Sequence, residues 1–145
     1  MTDISRFGPE LALLIAAGLI VVVDALLPIL GREAWAKRRV ISAVLALAGV
    51  AASFAWSGAL ISADEKGPAF DGMIVIDDFT LFFNFLFAGI AGMIVLASID
   101  FLQKNRFQAE YLALVLAAPS AMMLMAASQD LIMIFVALET QALAF

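Results

Sequence analysis

Apolar residues run along this chain in long unbroken stretches, not in the alternation of a half-buried strand. Five stretches stand out, at residues 11–29, 40–61, 79–99, 111–127 and 131–145. Four reach the roughly 17–25 residues that a helix needs to cross about 30 Å of hydrocarbon. The fifth has 15 residues after Asp130 and is still apolar when it reaches Phe145. That reads as a span cut short, in a piece of something longer. Continuous runs predict helices, because inside lipid every backbone polar group must be satisfied within its own segment, and a barrel strand would alternate. The expected fold is an all-α polytopic transmembrane helix bundle, with 1–145 as the N-terminal part of a single membrane domain.

Composition agrees with the pattern. Hydrophobic residues make up 65% of the chain and charged ones 14%, with mean hydropathy +1.07, against roughly 45–50% and 25% in soluble domains. The lipid bilayer is therefore the first expected partner. With no cysteine and no histidine, these residues supply no disulfide framework, no zinc site and no His or Cys ligation of haem. The net charge of −5, with cations confined to loops, gives no nucleic-acid footprint. Asp3, Arg6 and Glu10 precede a run too long for a signal peptide, and no cleavage pattern follows it.

Loop charge orients the spans. Arg32, Lys37, Arg38 and Arg39 separate the first two, and Lys104 and Arg106 the third and fourth. By the positive-inside rule that side is cytoplasmic. The other side carries the N-terminus, Asp64, Glu65, Asp71, Asp77 and Asp78 against Lys66, and the short turn Ser128–Gln129–Asp130. It faces the periplasm on this reading. The turn offers side-chain oxygens to the free N–H groups of the fifth helix, where Asp130 also suits the dipole. Small residues four apart, Ala48/Ala52 and Ala88/Gly92, predict close helix packing inside a bundle.

Few residues in the spans can carry chemistry. Glu139 stands in "LIMIFVALETQALAF", about 13 Å along its helix from Asp130 at ~1.5 Å per residue. That places it near the middle of the hydrocarbon. Carboxylates at such depth face a bundle interior or a water-filled cavity and mark ion paths; otherwise they are structural acids, neutral or paired with a cation of another helix. The 145 residues place no Lys or Arg inside a span. Asp24, in "LIVVVDALLP", lies in the cytoplasmic third of the first span, close to Pro28 and the Arg32–Arg39 cations. Its reading is divided between an architectural anchor and an ion-path residue. Pro119 removes one hydrogen bond in the fourth span and predicts a kink. Met122, Met123 and Met125 are pliable filler, and Asn84 is expected to hydrogen-bond across helices.

Three segments carry a resemblance. They are "FGPELALLIAAGLIVVVDALLP", "DDFTLFFNFLFAGIAGMIVLAS" and "AEYLALVLAAPSAMMLMAASQDLIMIFVALE". Together they resemble, from end to end, the subunit N family of bacterial NADH–quinone oxidoreductase, respiratory complex I. The most specific residues are Glu110-Tyr111, the Met-rich Ala121 to Ala126, Ser128 to Leu131, and Phe135 to Glu139. Pro9-Glu10 and the stretch from Asp24 to Pro28 set the pattern apart from the longer antiporter-like sister subunits. Two departures are "LETQAL" where the family has "LELxSL", and "SAMM" where it has "GMM".

The resemblance implies a proton-translocating subunit in the bacterial inner membrane, with Glu139 as a proton relay working with lysines on later helices. It also implies antiporter-like membrane neighbours, and NADH, FMN, iron–sulfur clusters and quinone bound by other subunits and none by this chain. Two other readings remain: a subunit of a stand-alone cation/proton antiporter, and a purely structural membrane anchor. A cysteine placed near Arg38 is expected to resist an impermeant reagent added to intact cells, and one near Asp71 to react. The reverse labelling would invert the orientation.

Overall fold

The computed structural model describes residues 3–26, 34–64, 66–102 and 107–144. A short helix α1 (Asp3–Arg6) leads into α2 (Gly8–Leu26), followed by α3 (Ala34–Ser62), a small hairpin, α4 (Asp78–Leu102), α5 (Gln108–Ala127) and α6 (Leu131–Ala144). The five long helices fall on the five apolar stretches. Four are long and apolar enough to cross a membrane, and α6 is shorter. Pro28, Arg32, Glu65, Lys104 and Arg106 lie outside the described residues, as do the side chains of Lys37 to Arg39.

The first crossing helix begins at Gly8, earlier than the apolar run at Leu11 suggests. Pro9 causes no loss in a first turn, where its missing N–H has no partner to give up. Glu10 is thereby carried into the helix and turned inward.

Helix α2 packs against α3 and α5, and α4 packs against the same two from the other side. The result is a four-helix bundle, with α6 laid against α5. Leu13, Ile20, Val50, Val95, Leu116 and Met123 meet in its core. The small-residue expectation holds for α4, where Ala88 is fully buried and Gly92 lies against Val50. It fails for α3: Ala48 and Ala52 are exposed. Gly49, one residue on, makes the close approach instead, since any Cβ there would collide with the methyl of Ala16. The stripe of small residues on α3 is broad, and only the packing of α2 selects which member of it forms the seam. Pro119 sits inside α5, which runs through it without a break, and is buried.

The hairpin closes one end of the bundle. Its strands β1 (Gly67–Ala69) and β2 (Ile74–Ile76) pair antiparallel, around a turn in which Phe70, Asp71 and Gly72 have positive φ of 51°, 55° and 87°. An Asp-Gly pair tolerates that region, which is why "FDG" can reverse the chain. Arg6 Nη1 donates to Pro68 O at 2.7 Å. Phe7 meets Phe70 edge to face. Lys66 pairs with Asp78 at 2.6 Å, which raises the lysine above its ordinary range, but so exposed a pair adds little stability. Asp77 Oδ1 accepts from Thr80 N at 2.8 Å and caps α4.

Replacing Gly49 by Ala should destabilise the bundle by about 1–3 kcal/mol through overpacking of the α2–α3 seam. Gly18, where a Cβ would meet nothing within 4 Å, is the control, and Gly18→Ala should leave stability unchanged or slightly higher. Thermal unfolding of the two detergent-solubilised variants checks this; equal midpoints would show that the seam is slack.

Candidate functional site

A stripe of five buried residues runs down α2: Glu10, Leu13, Ala17, Ile20 and Asp24. Their spacing of three and four keeps them on one face. That face is turned into the bundle, so each end of α2 brings an acid into it. The two are separated by about 21 Å along the axis.

Glu10 is the more enclosed of the two, with no exposed surface, and Asn84 of α4 is equally buried. Asn84 Nδ2 donates to Glu10 Oε1 at 3.3 Å, at the long edge of hydrogen bonding. The expectation that Asn84 bonds across helices is met, and its partner is an acid. Gly8 lies against the Trp56 indole and Gly49 against Ala16, which sets Glu10 level with the turn of α3 between Ser53 and Ser57. Ser57 Oγ donates to Ser53 O at 2.9 Å, while Trp56 Nε1 donates to Ser5 O at 2.8 Å and pins α1 over this end. Three buried side-chain oxygens here have no hydrogen-bond partner: Glu10 Oε2, Asn84 Oδ1 and Ser53 Oγ. Each such group costs about 1–3 kcal/mol when left unpaired.

Asp24 is 8% exposed, at the opposite end of the same face. Glu139 is placed differently. Only Ala137 of α6 is buried, and Glu139 stands exposed beside Phe135, Val136 and Leu138, all of them 46% exposed or more. Among the described residues nothing covers that face. The structure does not bring Glu139 together with Asp24 or with Glu10.

The orientation of α6 is set at its start. Asp130 Oδ1 accepts from Ile132 N at 3.2 Å, as the turn was expected to provide. Ser128 does not cap α6; its hydroxyl turns back to Leu124 O while its backbone bridges to Ile74. Gln129 N donates to Met73 O at 2.8 Å, so the hairpin and the α5–α6 turn are joined. Thr140 Oγ1 returns to Val136 O at 2.8 Å, leaving Glu139 without a side-chain neighbour from its own next residue.

An apolar groove of about 540 Å³ opens between α4 and α5, lined by Phe87, Ile90, Tyr111, Pro119 and Met122. Its side chains are apolar apart from the Tyr111 hydroxyl, which already bonds with Ser98 Oγ at 3.1 Å. It carries no chemistry.

Sequence reasoning missed Glu10 as a buried acid by treating it as the residue before a span. The signal was present: Pro9 suits a first turn, and apolar residues at Leu13, Ala17 and Ile20 put Glu10 on the same face.

No family model matches the chain, and no solved structure matches it. It is similar to curated proteins. It is 37% identical over 142 residues to the NADH-quinone oxidoreductase subunit N of Dehalococcoides mccartyi, a match covering 96% of the chain and 27% of that protein. With NADH-quinone oxidoreductase subunit N 1 of Solibacter usitatus it shares 34% over 143 residues, 98% of the chain and 28% of the relative. With NADH-quinone oxidoreductase subunit N of Chlorobium chlorochromatii it shares 35% over 141 residues, 94% of the chain and 26% of the relative. The chain thus spans about a quarter of the length of these relatives.

Asp24 is expected to act mainly as architecture, from its place at the end of a packed stripe. Asp24→Asn, which keeps size and hydrogen bonding, should preserve both assembly and transport, whereas Asp24→Leu should reduce the amount of assembled protein. Normal assembly of Asp24→Asn with lost transport would make it an ion-path residue instead.

Proposed function

Over nearly its whole length the chain belongs with subunit N of the NADH-quinone oxidoreductases, and we propose that it is part of such a subunit, working in a bacterial plasma membrane. On this reading it contributes to a proton path in a complex that oxidises NADH and reduces quinone. The supporting observation is the relation over 142 residues to proteins of that name, in a chain built of helices long and apolar enough to span lipid. On the same reading the electron carriers belong to partner subunits. This chain's share is the movement of protons.

Glu139 is the residue proposed to relay them. It lies about 13 Å into α6, at a depth where an ionisable group is expensive to keep for packing alone. Its face is uncovered among the described residues, and the match takes in only 27% of the length of the first relative. Further helices of so long a subunit would pack there, enclosing the carboxyl and supplying cationic partners. The hairpin end, rich in Asp, is the periplasmic one under the same reading.

In the full-length subunit, Glu139→Gln should assemble normally and lower both proton translocation and coupled NADH oxidation several-fold. Glu139→Asp, which keeps the titrating group, should retain more of each. Membrane NADH oxidation and proton pumping at matched complex abundance are the measurements, and wild-type rates in Glu139→Gln would reduce Glu139 to a structural acid.

A further inference from the structure

We propose that Glu10 and Asn84 form a second protonatable site, at the hairpin end of the bundle, in which a bound water molecule completes the hydrogen bonding of the two side chains. It goes beyond the relay assigned to Glu139 and does not depend on it.

The geometry supplies the argument. Glu10 of α2 and Asn84 of α4 are each 0% exposed. One bond of 3.3 Å joins them, and one oxygen of each is left over. Buried polar groups of this kind are ordinarily satisfied by protein or by an internal water making two to four hydrogen bonds. The donors and acceptors match such a water. With Glu10 as the neutral acid, Oε2–H donates to the water, and the water donates to Asn84 Oδ1. No charge is then left in the seam.

Several charged groups of the surrounding elements bond elsewhere, and Asp64 and Asp71 are exposed. From α1, Arg6 donates to Pro68 O. From the hairpin and α4, Lys66 pairs with Asp78 and Asp77 caps Thr80. Asp130 caps α6. Helix α3 between Val40 and Ser62, and α5 between Leu112 and Ala127, contain no titratable side chain. Nothing described therefore fixes Glu10 as a permanent carboxylate by pairing with it.

Two residues into α2, Glu10 is only about 3 Å from the start of the helix, so a proton exchanges with water at the hairpin end.

The test is infrared spectroscopy on the full-length subunit purified from membranes with its native partners. Glu10→Gln should remove one carbonyl band of a protonated, hydrogen-bonded carboxyl. The same band should move to lower wavenumber soon after exchange into D₂O, and to higher wavenumber in Asn84→Leu, which removes the amide donor. If Glu10→Gln does not assemble, Asn84→Leu carries the test alone. An unmoved band in that variant, an unchanged spectrum in Glu10→Gln, or no response to D₂O would overturn the proposal. So would loss of the band on adding sodium at constant ionic strength, which would make the site a cation site.

Discussion

Helices α2 and α3 meet at their backbones where Gly49 faces Ala16 and Gly8 faces Trp56. Much else depends on that contact. In lipid no hydrophobic force gathers helices, and close van der Waals packing of small residues does the gathering. The approach sets the register of α2 on α3, and through the register it decides that Glu10 lies opposite Ser53 and Ser57. The aromatic surface of Trp56 leaves room at position 8 for a glycine only. Its indole N–H holds Ser5 O, so the same contact fixes where the chain enters the bundle.

The acids of the chain have opposite environments for one reason, the availability of helices to cover them. Glu10 is enclosed because α2, α3 and α4 are all present around it, and Asn84 reaches it across the seam. Glu139 lies deep along its own helix yet exposed, because among the described residues α6 packs mainly along α5. Depth in the membrane and burial in protein are separate quantities. For Glu139 the first is read from the helix rise and the second from neighbours, and only the first is a property of α6 itself.

The hairpin links these two regions. Its strand β2 packs Ile74 and Ile76 with Leu60, Leu81 and Ala127, and its turn holds the α5–α6 connection through Met73 and Ile74. A displacement of the hairpin would therefore act on the start of α6 and on the end of the bundle where Glu10 sits. The joints are the backbone hydrogen bond from Gln129 at 2.8 Å and apolar contacts, not the exposed Lys66–Asp78 pair, which solvent screens.

The five helices and their apolar character were legible in the order of residues, because hydropathy and a helical rise are local properties. So were the cap by Asp130 and the cross-helix role of Asn84, since the chemistry of each side chain leaves few alternatives. The resemblance to subunit N was legible too, and the curated relatives bear it out. The hairpin was read as a loop although "FDG" marks a turn, because three-residue strands are too short to show alternation. Which small residue forms the α3 seam, Gly49 and not Ala48 with Ala52, and which acid is enclosed, Glu10 and not Glu139, were decided only by tertiary structure. Both depend on the rotation of one helix about its axis relative to its neighbours, a quantity that no single helix encodes and that close packing alone selects.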